Sequence, residues 1–297
     1  MTVLNTCTAL PEREAMAIRF ENIKEFIGSR VSWDDRADLF TPEAAAAIRA
    51  KVEERTVLVF PEVNLTDDEQ LTLTELMGEK VRLTGRFNVQ ENNEDVYQVT
   101  LDPKINPQPE YVLGTFFWHM DGITVDMAPP FATLLSCRIV PAKGGETEFA
   151  STYAAYEGLS DEEKADLEGM KAVHSVKASL SPIADAIPEN HRERVLGIGL
   201  IKEHPLVWTH ESGRKSMVIG TTADHIVGKT IPEGRAMLIR LQEWAAQPAF
   251  SLRHKWTKGD FVIWDNTGAM HRAIPYDKST GRMMHRTSIA GSESIAA

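Results

Sequence analysis

The chain has 297 residues, of which 42% are apolar and 25% charged, the proportions of a folded globular protein and not of a disordered or fibrous one. Its net charge of −11 argues against nucleic acid as a partner, because a phosphate backbone needs clustered Lys and Arg. No run of about 18 apolar residues is present to span a bilayer, so no membrane partner is expected either.

Cys7 and Cys137 stand far apart and suggest neither a disulfide frame nor a CxxC metal site, which suits a reducing compartment. Met1 to Glu14 lacks the basic start and apolar core of a secretion signal. The expectation is a cytoplasmic protein folded as one domain over 1–297, with a poorly defined segment at 1–30.

Taken in order, residues 1–30 carry few landmarks. Thr41-Pro42-Glu43 ahead of Ala44 to Glu54 predicts a helix with Thr41 as N-cap and Pro42 in the first turn. Thr56 to Phe60 reads as a buried strand, and Thr66-Asp67-Asp68-Glu69 as a capping box opening a helix that ends at Gly78. Residues 79–115 are polar, with Asn92-Asn93 and three prolines, and read as an irregular loop over a site. Phe116 to Gly122 reads as a strand and Thr133 to Val140 as a buried one. Gly144-Gly145 then turns the chain into Glu146 to Phe149. Ser160-Asp161-Glu162-Glu163 caps another helix, stopping at Gly169.

Residues 175–200 look loop-like. His204 to Thr209 and Ser216 to Ile219 form a hairpin around Glu211-Ser212-Gly213, and Pro232 to Gln247 is an amphipathic helix. Strands at Phe261 to Trp264 and Met284 to Ile289 flank a loop carrying His271. No repeat, low-complexity segment or linker interrupts this.

Phe116-Phe117-Trp118-His119-Met120-Asp121-Gly122 carries the chemistry. On a strand, His119 and Asp121 share a face and Met120 takes the other. Taken alone, an HxD tripeptide is better read as a local pairing at a strand end. With His271 as a third ligand, two imidazoles and one carboxylate make the facial set of non-haem Fe(II) oxygenases. The other histidines, at 174, 191, 204, 210, 225, 254 and 285, lack a ligand-spaced partner in sequence, and His204 and His210 read as surface or turn residues.

His119-Met120-Asp121, Gly144-Gly145-Glu146-Thr147, Trp264-Asp265-Asn266, His271 and Arg282-x-x-x-Arg286 stand in the order and spacing of the TauD/TfdA dioxygenases, and the chain resembles that family from about the Thr41 helix to the last strand. Thr209 to Lys215 and Ile219-Gly220 look closer to its aryloxyalkanoate branch than to its taurine branch. The resemblance implies a mainly β fold with flanking helices, built on a double-stranded β-helix (jelly-roll) core. It implies Fe(II) on His119, Asp121 and His271, 2-oxoglutarate as cosubstrate held by Arg282 and Thr147, O₂ as oxidant, and Arg286 reading a small anionic substrate. It also implies succinate and CO₂ as co-products and assembly as a homo-oligomer. An acid at position 121 stands where related halogenases carry a small residue, so hydroxylation is expected, with cleavage where the product is unstable. Gly122 and an approach to Pro129-Pro130 one residue longer than the family pattern alter the substrate wall.

The resemblance leaves open an aryloxy or other carboxylic acid, a taurine-like alkylsulfonate and a natural-product acid as substrate. Two other classes are weighed beside it: a zinc or manganese cupin-type enzyme, and a non-catalytic jelly-roll binding protein. The first has no need of Arg282 and Thr147, and intact ligands at all three metal positions argue against the second.

Overall fold

A computed structural model of the chain describes residues 17–81, 96–106 and 108–295. Cys7, Asn92 and Asn93 lie outside the described residues. Strands β1 (Ile18–Asn22) and β2 (Ser29–Trp33) pair as a hairpin. They correct the expectation of a featureless 1–30; only Ile18, Ser29 and Val31 of their ten residues are buried, which is too little apolar alternation to read in sequence. Helix α1 (Pro42–Arg55) starts as expected, with the Thr41 hydroxyl accepting from Ala44 N at 3.1 Å. Then follow β3 (Val57–Phe60) and α2 (Asp67–Met77), the latter opened by the Thr66/Glu69 capping box and closed at Gly78.

The expected irregular stretch contains β4 (Tyr97–Val99) and α3 (Pro109–Gly114). Next come β5 (Ala132–Ile139), β6 (Thr147–Ser151), α4 (Thr152–Glu157), α5 (Asp161–Leu167) and β7 (Lys171–Ser175). Residues 175–200 are not loop. They hold α6 (Val176–Leu180), a 3-10 turn at Ser181–Ala186 and α7 (Glu189–Leu196), whose Val176, Leu180, Ile183 and Val195 pack against Tyr111, Leu113 and Phe117. Strand β8 (Ile201–Pro205) pairs with β7, so only β9 (Val207–Thr209) and β10 (Lys215–Met217) form the expected hairpin. The chain ends with β11 (Ala223–Ile226), α8 (Ile231–Ala245), β12 (Ser251–His254), β13 (Phe261–Asp265), β14 (Ala269–Ala273) and β15 (Met283–Ile289).

Two sheets face each other. The larger runs β1-β2-β3-β13-β5-β15-β4 and the smaller β12-β6-β14. Alternation along each strand sends one set of side chains inward. Val59, Leu135, Val262, Trp264 and Met284 from the larger sheet meet Phe149, Leu252 and Ala269 from the smaller in one buried cluster. Each fully buried side chain of this size contributes about 1.5–3 kcal/mol. The other face of the larger sheet carries Leu58, Phe60, Leu134 and Ile263 against Ile48, Val52 and Leu73 of α1 and α2. Behind the smaller sheet, Ala150 and Met270 pack with Leu238 and Leu241 of α8. This is the double-stranded β-helix that the resemblance implied, with helices outside. Among the described residues no helix is long and apolar enough to cross a membrane.

Candidate active site

His119 and His271 are brought together by a single antiparallel bridge. His119 N donates to His271 O at 3.0 Å and His271 N to His119 O at 2.9 Å, setting the rings 4.2 Å apart. Two sequence expectations change here. Phe116 to Gly122 is not a strand, since only His119 pairs, and His271 lies inside β14, not in a loop. A five-residue strand with two polar members is too short to show a period. Gly220 makes the crossing possible, because a Cβ there would stand 2.9 Å from Trp118 O.

The side chains of His119, Asp121 and His271 converge, with one ligand atom from each lying within 4.8 Å of the others. His119 Nε2 is 3.9 Å from Asp121 Oδ1, and His271 Nε2 is 3.9 Å from Asp121 Oδ2. Those gaps exceed a hydrogen bond, so the three do not satisfy one another. Burial holds both imidazoles below their usual range and therefore neutral. Burial alone would raise Asp121, but the Arg286 guanidinium and, to a lesser degree, the Thr133 hydroxyl outweigh it and keep the carboxyl ionised. Neutral His and ionised Asp are the protonation states a divalent metal takes. His119 Nδ1 lies 2.8 Å from Phe117 O, which assigns it the proton and leaves Nε2 as the free lone pair.

Asp121 is braced from outside. Arg286 Nη2 donates to its Oδ2 at 2.7 Å and the Thr133 hydroxyl at 3.2 Å, while Asn266 Nδ2 donates to Thr133 Oγ1 at 2.9 Å. Sequence reading missed Thr133. The available signal was a Thr in an apolar strand, at the parity of Leu135 and Cys137, which face inward.

Arg282, Met284 and Arg286 stand two apart in sequence, the spacing that alternation along a strand places on one face, and here they share the inner face of their segment. Arg282 is 3% exposed, donates from Nε to Gly145 O at 3.2 Å and lies over the Tyr276 ring at 4.9 Å. Among the described residues it has no acidic partner. Burial lowers its pKa, only partly offset by Tyr276, although a guanidinium still stays charged. A buried cation without an anion is costly unless a ligand supplies one. Gly145, at φ +76°, lets the chain pass, since a Cβ there would sit 3.0 Å from Arg282 Cδ and 2.6 Å from Pro141. Thr147, buried at the start of β6, accepts from Trp256 Nε1 at 2.9 Å, a partner the sequence did not reveal. Gly122 has φ +78°, and its side-chain direction is closed by Pro130 at 2.6 Å, so the backbone turn accounts for the glycine.

His210 is not a surface residue. It is 6% exposed, with Nε2 2.8 Å from Ser216 Oγ and Nδ1 3.4 Å from Glu293. His191, His254 and His285 each meet one carboxylate through the fold and His225 meets that of its neighbour Asp224, and among the described residues no second cluster has three metal-ligating side chains. A cavity of about 620 Å³ on the helix side of the larger sheet is lined by Arg49, Tyr153, His210, Arg214 and Asp265, and touches none of the three converging residues.

A site with two neutral imidazoles, an ionised carboxylate and a buried guanidinium without an acid beside it among the described residues is that of a non-haem metal enzyme that takes an anionic cosubstrate. The sequence model described as "Taurine catabolism dioxygenase TauD, TfdA family" matches residues 19–288. The alpha-ketoglutarate-dependent 2,4-dichlorophenoxyacetate dioxygenase of Burkholderia sp. (strain RASC) is 33% identical over 84% of this chain and 87% of its own. The (S)-phenoxypropionate/alpha-ketoglutarate-dioxygenase of Sphingobium herbicidovorans is 32% identical over 80% and 83%. Among solved structures, AAD-2 in complex with Mn(II) and N-oxalylglycine superposes with a TM-score of 0.76 at 30% identity, covering 94% of this chain and all of that one. A taurine dioxygenase from Burkholderia xenovorans gives 0.74 at 28%, covering 93% and 90%. The chain belongs to the TauD/TfdA family. It is an Fe(II)- and 2-oxoglutarate-dependent dioxygenase, which sets aside the cupin-type and non-catalytic readings.

Proposed function

We propose that the chain hydroxylates a small carboxylic acid of the aryloxyalkanoate class, with His119, Asp121 and His271 holding Fe(II). The observation that carries the cosubstrate assignment is Arg282, a buried guanidinium with no acidic partner among the described residues, set against only the Gly145 carbonyl and Tyr276. The distal carboxylate of 2-oxoglutarate would fill that gap, with a hydroxyl from Thr147 beside it. Bound there, Fe(II), O₂ and 2-oxoglutarate supply the oxidising chemistry, yielding succinate, CO₂ and a hydroxylated substrate. The chain's own share is to hold both imidazoles neutral, fix the orientation of Asp121 and present a cation to each organic anion.

Arg286 is the substrate-side cation in this reading. Its Nη2 braces Asp121, while Nη1 meets no acceptor among the described residues and its side chain is 24% exposed. The names of the relatives, which act on 2,4-dichlorophenoxyacetate and (S)-phenoxypropionate, support a carboxylate over a sulfonate. The test is substrate-coupled succinate formation across aryloxy acids, their methyl esters and alkylsulfonates, with the parent and with Arg286→Gln. A selective rise in KM for the acids supports the assignment; equal losses on acid and ester, with intact metal binding, would reject it. The reading is completed by a single-domain cytoplasmic enzyme acting as a homo-oligomer. The family match over 19–288 and the absence of paired cysteines in the sequence support the first two parts, and sedimentation tests the last.

A further inference from the structure

The Thr147 hydroxyl has one hydrogen-bond partner among the described residues. The Trp256 indole donates to its Oγ1 at 2.9 Å, with both residues buried. An indole N–H can only donate, so it occupies a lone pair of Oγ1 and cannot take the hydroxyl proton. Nothing else described accepts that proton. A free threonine could offer a ligand either a lone pair or a proton. With Trp256 on one lone pair, the hydroxyl proton must point away from the indole, and that proton is what an incoming carboxylate takes.

The indole is itself anchored. Trp256 follows β12, where His254 lies opposite Thr147 in the ladder. The His254 ring stands edge-on to Trp256 at 4.6 Å and 86°. His254 Nε2 is 3.0 Å from Asp260 Oδ2, and Asp260 also accepts from Thr257 N at 2.8 Å and Glu62 N at 2.9 Å. One buried carboxylate thus ties the turn after Trp256 to the ring before it and to the loop after β3. On the opposite side Arg282 is held by Gly145 O, two residues before Thr147.

We propose that Trp256 is a positioning residue for the cosubstrate. By filling one lone pair of Thr147 it turns the hydroxyl proton toward the distal carboxylate of 2-oxoglutarate. This rests on the reading of Thr147 and Arg282 as the site of that carboxylate. The experiment is calorimetric binding of 2-oxoglutarate to Mn(II)-loaded protein without turnover, for Trp256→Phe, Thr147→Val and the double variant, with pyruvate as a 2-oxo acid lacking a distal carboxylate. Trp256→Phe is expected to weaken 2-oxoglutarate about fivefold and Thr147→Val about tenfold, with the double variant no weaker than Thr147→Val. Pyruvate and Mn(II) binding should be unmoved by Trp256→Phe. An equal further loss in the Thr147→Val background, or an equal loss for pyruvate, would show that the ring merely packs and overturn the proposal. Unchanged 2-oxoglutarate affinity in Thr147→Val would instead remove the cosubstrate reading beneath it. A second readout leaves Trp256 untouched and covers a Phe variant that fails to fold. The Trp256 indole N–H resonance should shift on 2-oxoglutarate binding in the parent and not in Thr147→Val; the same shift in both overturns the proposal.

Discussion

Replacing Arg282 with methionine should separate stability from ligand binding, moving the two in opposite directions. Methionine keeps most of the buried stem and so limits the cavity that alanine would leave. In the ligand-free protein the guanidinium is buried, has no acid among the described residues, and is disfavoured by its surroundings enough to lower its pKa. Removing it should therefore raise the melting temperature, by about 2–4 °C for each kcal/mol relieved in a chain of this size. Cosubstrate binding should fall, because a charge-assisted hydrogen bond contributes roughly 1.5–3 kcal/mol and about 1.4 kcal/mol is tenfold in Kd. At 2-oxoglutarate equal to about 100 times the parent Kd, the parent gains about 2.7 kcal/mol from the ligand. A variant bound tenfold more weakly gains about 1.4 kcal/mol by the same relation. Thermal denaturation with Mn(II), with and without 2-oxoglutarate, reads both quantities, and calorimetry gives Kd directly. A Met variant that melts lower without ligand yet keeps the full ligand-induced shift would refute the reasoning.

His271→Ala should abolish metal-dependent succinate formation and weaken Mn(II) binding; an alanine variant with parental metal affinity would remove His271 from the ligand set. Thr133→Val takes a hydroxyl donor from Asp121 and an acceptor from Asn266, so metal affinity should drop about 10–100-fold. Titration of the purified apoprotein checks this, and an unchanged Kd would show that Arg286 alone orients the carboxylate. Asp265 is buried, and desolvation raises its carboxyl to about 6 from 3.8, despite bonds from the Thr267 hydroxyl and N–H. The folded state thus binds that proton more tightly than the unfolded one, and stability is lost as pH rises from about 4 through about 6. Asp265→Asn should be the more stable protein at pH 8, by about 3 kcal/mol, with the difference vanishing toward pH 4; a pH-independent difference in denaturation midpoint would contradict the assignment.

What the sequence disclosed was what local chemistry decides. Thr41, Thr66 and Ser160 cap their helices as their neighbours dictate, and Ser160/Glu163 closes a capping box without tertiary help. The buried runs at Leu58, Leu134 and Ile263 are apolar enough to show as strands. The ligand set showed through motif spacing, and the shared face of Arg282 and Arg286 through strand alternation. What stayed hidden depends on contacts distant in sequence. α6 ends before Pro182 and α7 begins after Pro188; with five and eight residues they are too short to be stable helices alone, and they are held by Tyr111, Leu113 and Phe117 from α3 and its exit. Thr133 stands in the sequence only as the start of a buried strand, and nothing there singles out Trp256 until Thr147 is found against it.

The two arginines on one strand face stand in opposite electrostatic states, and that difference bears on which substrate fits. Asp121 is ionised and Arg286 lies against it, so these two cancel, and both imidazoles are neutral. Arg282 leaves one positive charge over. A divalent metal brings two more, and 2-oxoglutarate, a dianion at neutral pH, removes two. The assembled pocket then retains a single positive charge within a chain whose net charge is −11. In a buried site an uncompensated charge is expensive, so on the reading proposed above the substrate that closes the balance is a monoanion. A neutral ester leaves the charge in place, and an amine doubles it. An aryloxyalkanoate carries one carboxylate and an otherwise apolar body, and it is neutralised in the site without help from solvent. On that reading the substrate carboxylate would meet Arg286, whose Nη2 is engaged by Asp121 while its Nη1 has no acceptor among the described residues.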